Sequence, residues 1–149
     1  MRSVVIVAWL TLLSAQAQQP LLIGYYAGDG RNLEEHRIEQ LTHLIWCFGH
    51  VRNDSMVISP AQDPIIARMV RMKARNQDLK VLLSVGGWGG CANCSETFAR
   101  ETGRRTFAAS VRALLDLHHA DGIDLDWEYP AVPGPPGHSY SDADRHHFT

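Results

Sequence analysis

The octapeptide Asp121-Gly122-Ile123-Asp124-Leu125-Asp126-Trp127-Glu128 constrains this chain more than any other stretch. Read as a strand, whose successive side chains point to opposite faces, it puts Asp124, Asp126 and Glu128 on one side and Ile123, Leu125 and Trp127 on the other. A strand rises about 3.3 Å per residue, so neighbouring carboxyls stand roughly 6.6 Å apart. At an effective dielectric of about 20 each repulsion costs about 2.5 kcal/mol, equivalent to roughly two pKa units. The apolar side needs a hydrophobic layer behind it, so the acids must project into a cleft or an interior. The expectation is that they do not ionise together: the two Asp share a proton or a hydrogen bond, and Glu128 titrates high beside negative neighbours. Such a Glu is a candidate general acid.

Three plainer readings compete. The acids form a structural cluster capped by Arg or Lys, a metal site, or a solvated charged face. A calcium loop requires Gly at its sixth position, whereas Gly122 is second and apolar residues alternate with the acids. That alternation also argues against a solvated face.

Around this stretch the chain alternates buried strands with amphipathic helices. Leu21 to Tyr26 is an apolar run closed by Gly28-Asp29-Gly30, and His43 to Phe48 is a second continuous apolar run. Both suit strands buried on two faces. A short helix is expected from Leu33 to Leu41. Asp63-Pro64 starts another, with Ile65, Ile66, Met69 and Val70 at helical spacing and an end near Asn76. Lys80 to Val85 is a third strand. It runs into Gly86-Gly87-Trp88-Gly89-Gly90, where missing side chains let another group, such as a bulky ligand, approach the backbone. Phe107, Val111, Leu114, Leu115 and His118 trace one face of a helix from Thr102 to His119, whose terminal histidines read as helix-dipole partners. After the acidic strand, residues 131–137 form a Pro- and Gly-rich loop, and Asp142 or Asp144 looks like the cap of a helix that never arrives.

Strand and helix in strict alternation predict an α/β fold with a parallel sheet. An open doubly wound sheet and a barrel both accommodate four such units. Acids lining the inner face, with Glu128 at the C-terminal end of its strand, select the (β/α)8 barrel, which places its chemistry there. That barrel usually takes about 250 residues, so only the first four strands and their helices are expected here. The chain is read as a truncated product or partial gene.

The 149 residues fit one domain, and a net charge of -2 with a pI near 6.4 gives no electrostatic reason to expect nucleic acid or an anionic membrane as partner. Arg2, the apolar run Val4 to Leu13 and Ala15-Gln16-Ala17 read as an export signal over residues 1–17. Mature protein then spans residues 18–149 and is secreted, with no membrane span, since the run is shorter than the roughly 20 apolar residues a span needs. Cys91 and Cys94 form a C-x-x-C in a Gly-rich loop. With no second ligand pair a zinc site is disfavoured, and a redox pair is disfavoured because the flanking residues do not open a helix in the thioredoxin manner. A local disulfide is the expectation. Cys47, inside an apolar run, reads as a buried thiol.

Asp121-Gly122-Ile123-Asp124-Leu125-Asp126-Trp127-Glu128-Tyr129-Pro130 resembles the signature of glycoside hydrolase family 18, the chitinase-type family, and Ser84-Val85-Gly86-Gly87 resembles its second motif. The resemblance covers nearly the whole mature chain. It implies a retaining, substrate-assisted hydrolase of β-1,4-linked N-acetylglucosamine polymers (chitin), active in full-length form, with no cofactor or metal. Glu128 would be the general acid/base, Asp126 would hold the sugar's acetamido N–H, and Asp124 would tune both. Tyr25, Phe48, Ser84, Gly87, Trp88 and Tyr129 match positions lining the sugar site, although the core is an equal home for Phe48. Related possibilities are an endo-β-N-acetylglucosaminidase acting on N-glycans and a non-catalytic chitin-binding lectin. The lectin relatives typically lose the acid that Glu128 supplies here. The partner in each case is chitin or an N-acetylglucosamine oligosaccharide.

Overall fold

A computed structural model describes residues 20–148, so the export signal read over residues 1–17 lies outside the described residues. The strands are β1 (Ile23–Tyr26), β2 (His43–Arg52), β3 (Ser55–Val57), β4 (Lys80–Gly86) and β5 (Gly122–Asp126). The helices are α1 (Asp63–Arg71), α2 (Cys94–Ala99), α3 (Glu101–His118) and α4 (Asp144–His147). Four strands pair in parallel in the order β1-β2-β4-β5, and β3 lies antiparallel on β2. This is a partial (β/α)8-type barrel: a curled parallel sheet backed by helices, without closure among the described residues.

The two faces of the sheet differ in kind. Leu44, Trp46, Val81, Leu83 and Val85 point outward and are buried with Ile66 and Met69 of α1 and Phe107 and Val111 of α3 in one hydrophobic core. At about 25 cal/mol per Å² this burial is the main stabilising term. It is why these strands read as apolar runs. On the other face the register aligns Tyr25 with Ile45, Ile45 with Leu82, Ser84 with Asp124, and Gly86 with Asp126. Towards β1 this inner face is open, with Ile23 and Tyr25 47% and 60% exposed.

Several elements depart from expectation. Residues 33–41 form two separate 3-10 turns, Leu33–Glu35 and Ile38–Gln40, with extended backbone at His36 between them. Leu33 and Ile38 are both fully buried. Five residues apart, they would lie roughly 140° apart around a continuous α-helix, and breaking it lets both reach the core. Tertiary contact overrides helix propensity here. The first long helix becomes α1 plus a 3-10 turn Met72–Ala74, and Asn76 then donates to the carbonyls of Ile38 and Leu41 (3.2 and 2.8 Å).

β2 runs past the expected Phe48 to Arg52 and turns into β3 through Asn53 and Asp54, both at positive φ (49° and 61°). Asn and Asp tolerate the left-handed backbone that both central positions of such a hairpin turn require. The short helix α2 was not anticipated. α3 matches its expected span to one residue at each end, with His119 in the left-handed conformation as its C-cap. The closing helix does arrive, as the single turn α4. The acidic strand is shorter than the octapeptide: β5 ends at Asp126, two residues before Glu128.

Candidate active site

The site is assembled where β4 and β5 end. Ser84, fully buried, stands beside Asp124 and donates a 2.7 Å hydrogen bond to its Oδ2. The hydroxyl of Tyr25 donates to Oδ1 at 3.3 Å. Tyr25 is on β1 and Asp124 on β5, three strand spacings or roughly 14 Å apart in a flat sheet. The contact is possible only because the sheet curls, so the inner face is concave and the acids lie in its hollow.

Trp127 points the other way. It is 6% exposed and packs on Phe98 of α2 and Phe148 after α4, with ring centroids 5.4 and 5.8 Å away. The alternation thus continues past the end of β5, with the tryptophan among the helices. The apolar backing is incomplete in one place, because Leu125 is 40% exposed and borders a groove with Phe98, Phe107 and Phe148.

Among the described residues no ion pair reaches Asp124, Asp126 or Glu128. The cations near acids are engaged elsewhere, as in Arg68 with Glu34, Arg75 with Glu39, Arg100 with Asp54 and Lys73 with Asp121. Among the described residues, then, no Arg or Lys caps these three acids. Asp121, the first acid of the octapeptide, is separate from the other three: burial raises its pKa, but Lys73 and the 2.7 Å bond from the Val81 N–H outweigh that and hold it low. The side chains of Asp126 and Glu128 accept no hydrogen bond from a described residue, and both are half-buried. Their lone pairs are free for a ligand.

The acids act on their neighbours. Tyr25 titrates high through burial first and then the charge of Asp124. The Cys47 thiol is pushed up to about 12 by burial, with the charges of Asp124 and Asp126 adding to it. Cys47 is therefore half-buried on the acid side of the sheet rather than a core thiol as expected. The run from Leu44 to Phe48 is apolar at every position, so its composition does not show which face of the strand takes Cys47.

The glycine segment does something other than receive a ligand at every position. Gly86 has φ +118°, and a Cβ there would sit 2.1 Å from the Asp126 carbonyl, which accepts the Gly87 N–H at 2.9 Å. The close approach is made by the backbone of β5. Gly87, at φ +67°, lies under the Phe48 ring, 3.3 Å from where a Cβ would be. Phe48 is half-buried at this rim. Trp88 and Tyr129 are 63% and 44% exposed.

Cys91 and Cys94 are both buried, with sulfurs 2.05 Å apart. Contrary to expectation, Cys94 is the first residue of a helix, α2. His118 is buried and its Nε2 lies 3.6 Å from Asp63 at the start of α1, so it faces a neighbouring helix as well as the end of its own.

A sequence model of the glycosyl hydrolases family 18 matches residues 21–149. The chain is 39% identical over 100 residues to the oviduct-specific glycoprotein of Papio anubis, covering 65% of this chain and 16% of that protein. It is 32% identical over 129 residues to the endochitinase of Manduca sexta, covering 81% of this chain and 23% of that protein. It therefore spans less than a quarter of either relative. Among solved structures, the family 18 N-acetylglucosaminidase of Paenibacillus barengoltzii superposes with a TM-score of 0.75 at 35% identity, over 86% of this chain and 37% of that one. Motif, fold and family match agree, and the chain belongs to the glycosyl hydrolases family 18.

Proposed function

We propose that this chain carries the acid/base part of a retaining hydrolase of β-1,4-linked N-acetylglucosamine polymers, chitin or its oligosaccharides. One observation supports this reading above others: Asp124 is fastened by Ser84 and Tyr25, while the carboxyls of Asp126 and Glu128 next to it have no donor among the described residues. Cleavage requires a proton for the leaving oxygen and stabilisation of positive charge at the sugar carbon. Glu128 donates that proton. Asp126, on the same chain segment beneath it, is badly placed to attack the opposite face of a sugar, so the nucleophile is the sugar's own acetamido oxygen, as the family exception allows. Asp126 accepts the acetamido N–H and orients the group. Asp124 stays bonded to Ser84 and Tyr25 and sets the field around Asp126. Glu128 then takes a proton from the water that opens the cyclic intermediate, with net retention. Phe48, Gly87, Trp88 and Tyr129 border the sugar, the aromatic faces suiting its C–H surfaces.

The export signal read over residues 1–17 supports secretion, extracellular or periplasmic, with residues 18–149 as the catalytic portion. None of the described helices is long and apolar enough to cross a membrane.

With residues 18–149 joined to the C-terminal half of a family 18 chitinase, Glu128→Gln should lower chito-oligosaccharide hydrolysis by at least about 10²-fold, the usual contribution of a positioned proton donor. Activity unchanged by that substitution would refute the reading. The 149-residue chain alone should turn over little or no chitin, because Tyr25 and Trp88 are largely open to water and a wet site weakens the electrostatics that catalysis needs.

A further inference from the structure

Asp144 is fully buried, yet the reaction proposed above makes no use of it. Its Oδ1 accepts the Ser95 hydroxyl of α2 at 2.7 Å. Its Oδ2 accepts the backbone N–H groups of Ala131 and Ser141 at 3.2 and 2.8 Å. Burying a carboxyl is costly unless its oxygens are satisfied, so a carboxyl with three protein donors is a fastening point. What it fastens lies next to Glu128. The chain leaving Glu128 bends at Ala131, which is buried and held at φ +63°. Gly134 then folds back so closely that a Cβ there would be 2.3 Å from the Glu128 carbonyl.

The other side of Glu128 is held by the same two helices. Trp127 is packed between Phe98 of α2 and Phe148, which follows α4. Glu128 is thus gripped by an apolar contact one residue before it and a polar contact three residues after it, both made by α2 and the segment around α4. A further clasp, from Ser139 to the Ala92 carbonyl and the Glu96 carboxyl, ties the same loop to the segment that carries Trp88 and the disulfide.

We infer that Asp144 is a positioning residue: by joining Ser95 to Ala131 and Ser141 it sets where the Glu128 carboxyl stands relative to Asp126. The inference rests on Glu128 being the reacting acid, but its test reads the position of that carboxyl and not turnover. Failure of the hydrolase reading, seen as undiminished turnover in Glu128→Gln, is therefore a separate result.

The experiment follows the side-chain carbon resonance of Glu128 through a pH titration of the 149-residue chain and its variants. Asp144→Ala should move the Glu128 midpoint by about half a pH unit or more, because distance to Asp126 and local burial both change. Asp144→Asn keeps the shape. Its amide oxygen accepts the two N–H groups while its NH₂ donates to Ser95, whose hydroxyl turns to accept, so the wild-type midpoint should return. Ser95→Ala, which removes one of the three bonds, should shift the midpoint in the same direction by a smaller amount, and it decides the matter if Asp144→Ala does not fold. A folded Asp144→Ala that melts earlier with Glu128 unmoved, an Asp144→Asn shift as large as that of Asp144→Ala, or no shift in Ser95→Ala with Asp144→Ala unfolded would each overturn the inference.

Discussion

The Ser84 hydroxyl donates to Asp124 across the β4–β5 pair at 2.7 Å, from a side chain with no exposure at all. The Tyr25 bond to the same carboxyl is longer, 3.3 Å, and comes from an exposed ring. Ser84→Ala should therefore cost about 1.5–3 kcal/mol in urea unfolding, the usual range for a hydrogen bond to a charged group, and Tyr25→Phe clearly less. Equal losses would mean that the ordering of the two bonds is wrong.

Gly86 sits at positive φ with the Asp126 carbonyl in the space a Cβ would need. Gly86→Ala should push β4 from β5 and destabilise by about 3 kcal/mol or more. Gly89, three residues on, has nothing within 4 Å of its Cβ position, so Gly89→Ala should be close to neutral. Thermal melts of the two variants compare them directly.

Cys47 gives an alkaline signature. Burial and then the charges of Asp124 and Asp126 raise its pKa from 9.0 to about 12. Between those values the unfolded chain has lost the thiol proton and the native chain keeps it. The Cys47 contribution is therefore fully present below about pH 9 and is lost as pH rises toward 12. Cys47→Ser should flatten the fall in stability over that window, and alkylation of native Cys47 at pH 8 should be slow compared with alkylation in denaturant.

Asp121 behaves oppositely. Burial pushes its pKa up, but the Lys73 ammonium and the Val81 N–H hold the net value below the ordinary 3.8. Its contribution is present above that value and is lost as pH falls through the lower folded one. Asp121→Asn should lower stability at neutral pH and reduce the acid dependence below about pH 4, read by denaturant melts across that range.

Much of the fold was legible because burial writes itself into composition. The outward rows Leu44, Trp46 and Val81, Leu83, Val85 needed a hydrophobic layer, and α3 showed its apolar stripe almost to the residue. Elements set by a few long-range contacts were not legible. Leu33 and Ile38 broke a helix to reach one core, and although the C-x-x-C pointed to the local disulfide, α2 beside it packs Phe98 on the distant Trp127, a contact that shows as no local period.

By itself the sequence determined which acids are candidates for chemistry and on which side of a strand they lie, because a period of two in side-chain direction is a property of the backbone alone. It did not determine what those side chains meet. That Asp124 is held by Ser84 and by Tyr25 from the far edge of the sheet, that Cys47 shares the hollow with the acids, and that Asp144 reaches back to the turn after Glu128 were decided by the curl of the sheet and the return of the chain. The curl brings together residues 99 positions apart and the return residues 49 apart, and contact at such separations depends on how whole elements pack, which no local pattern encodes.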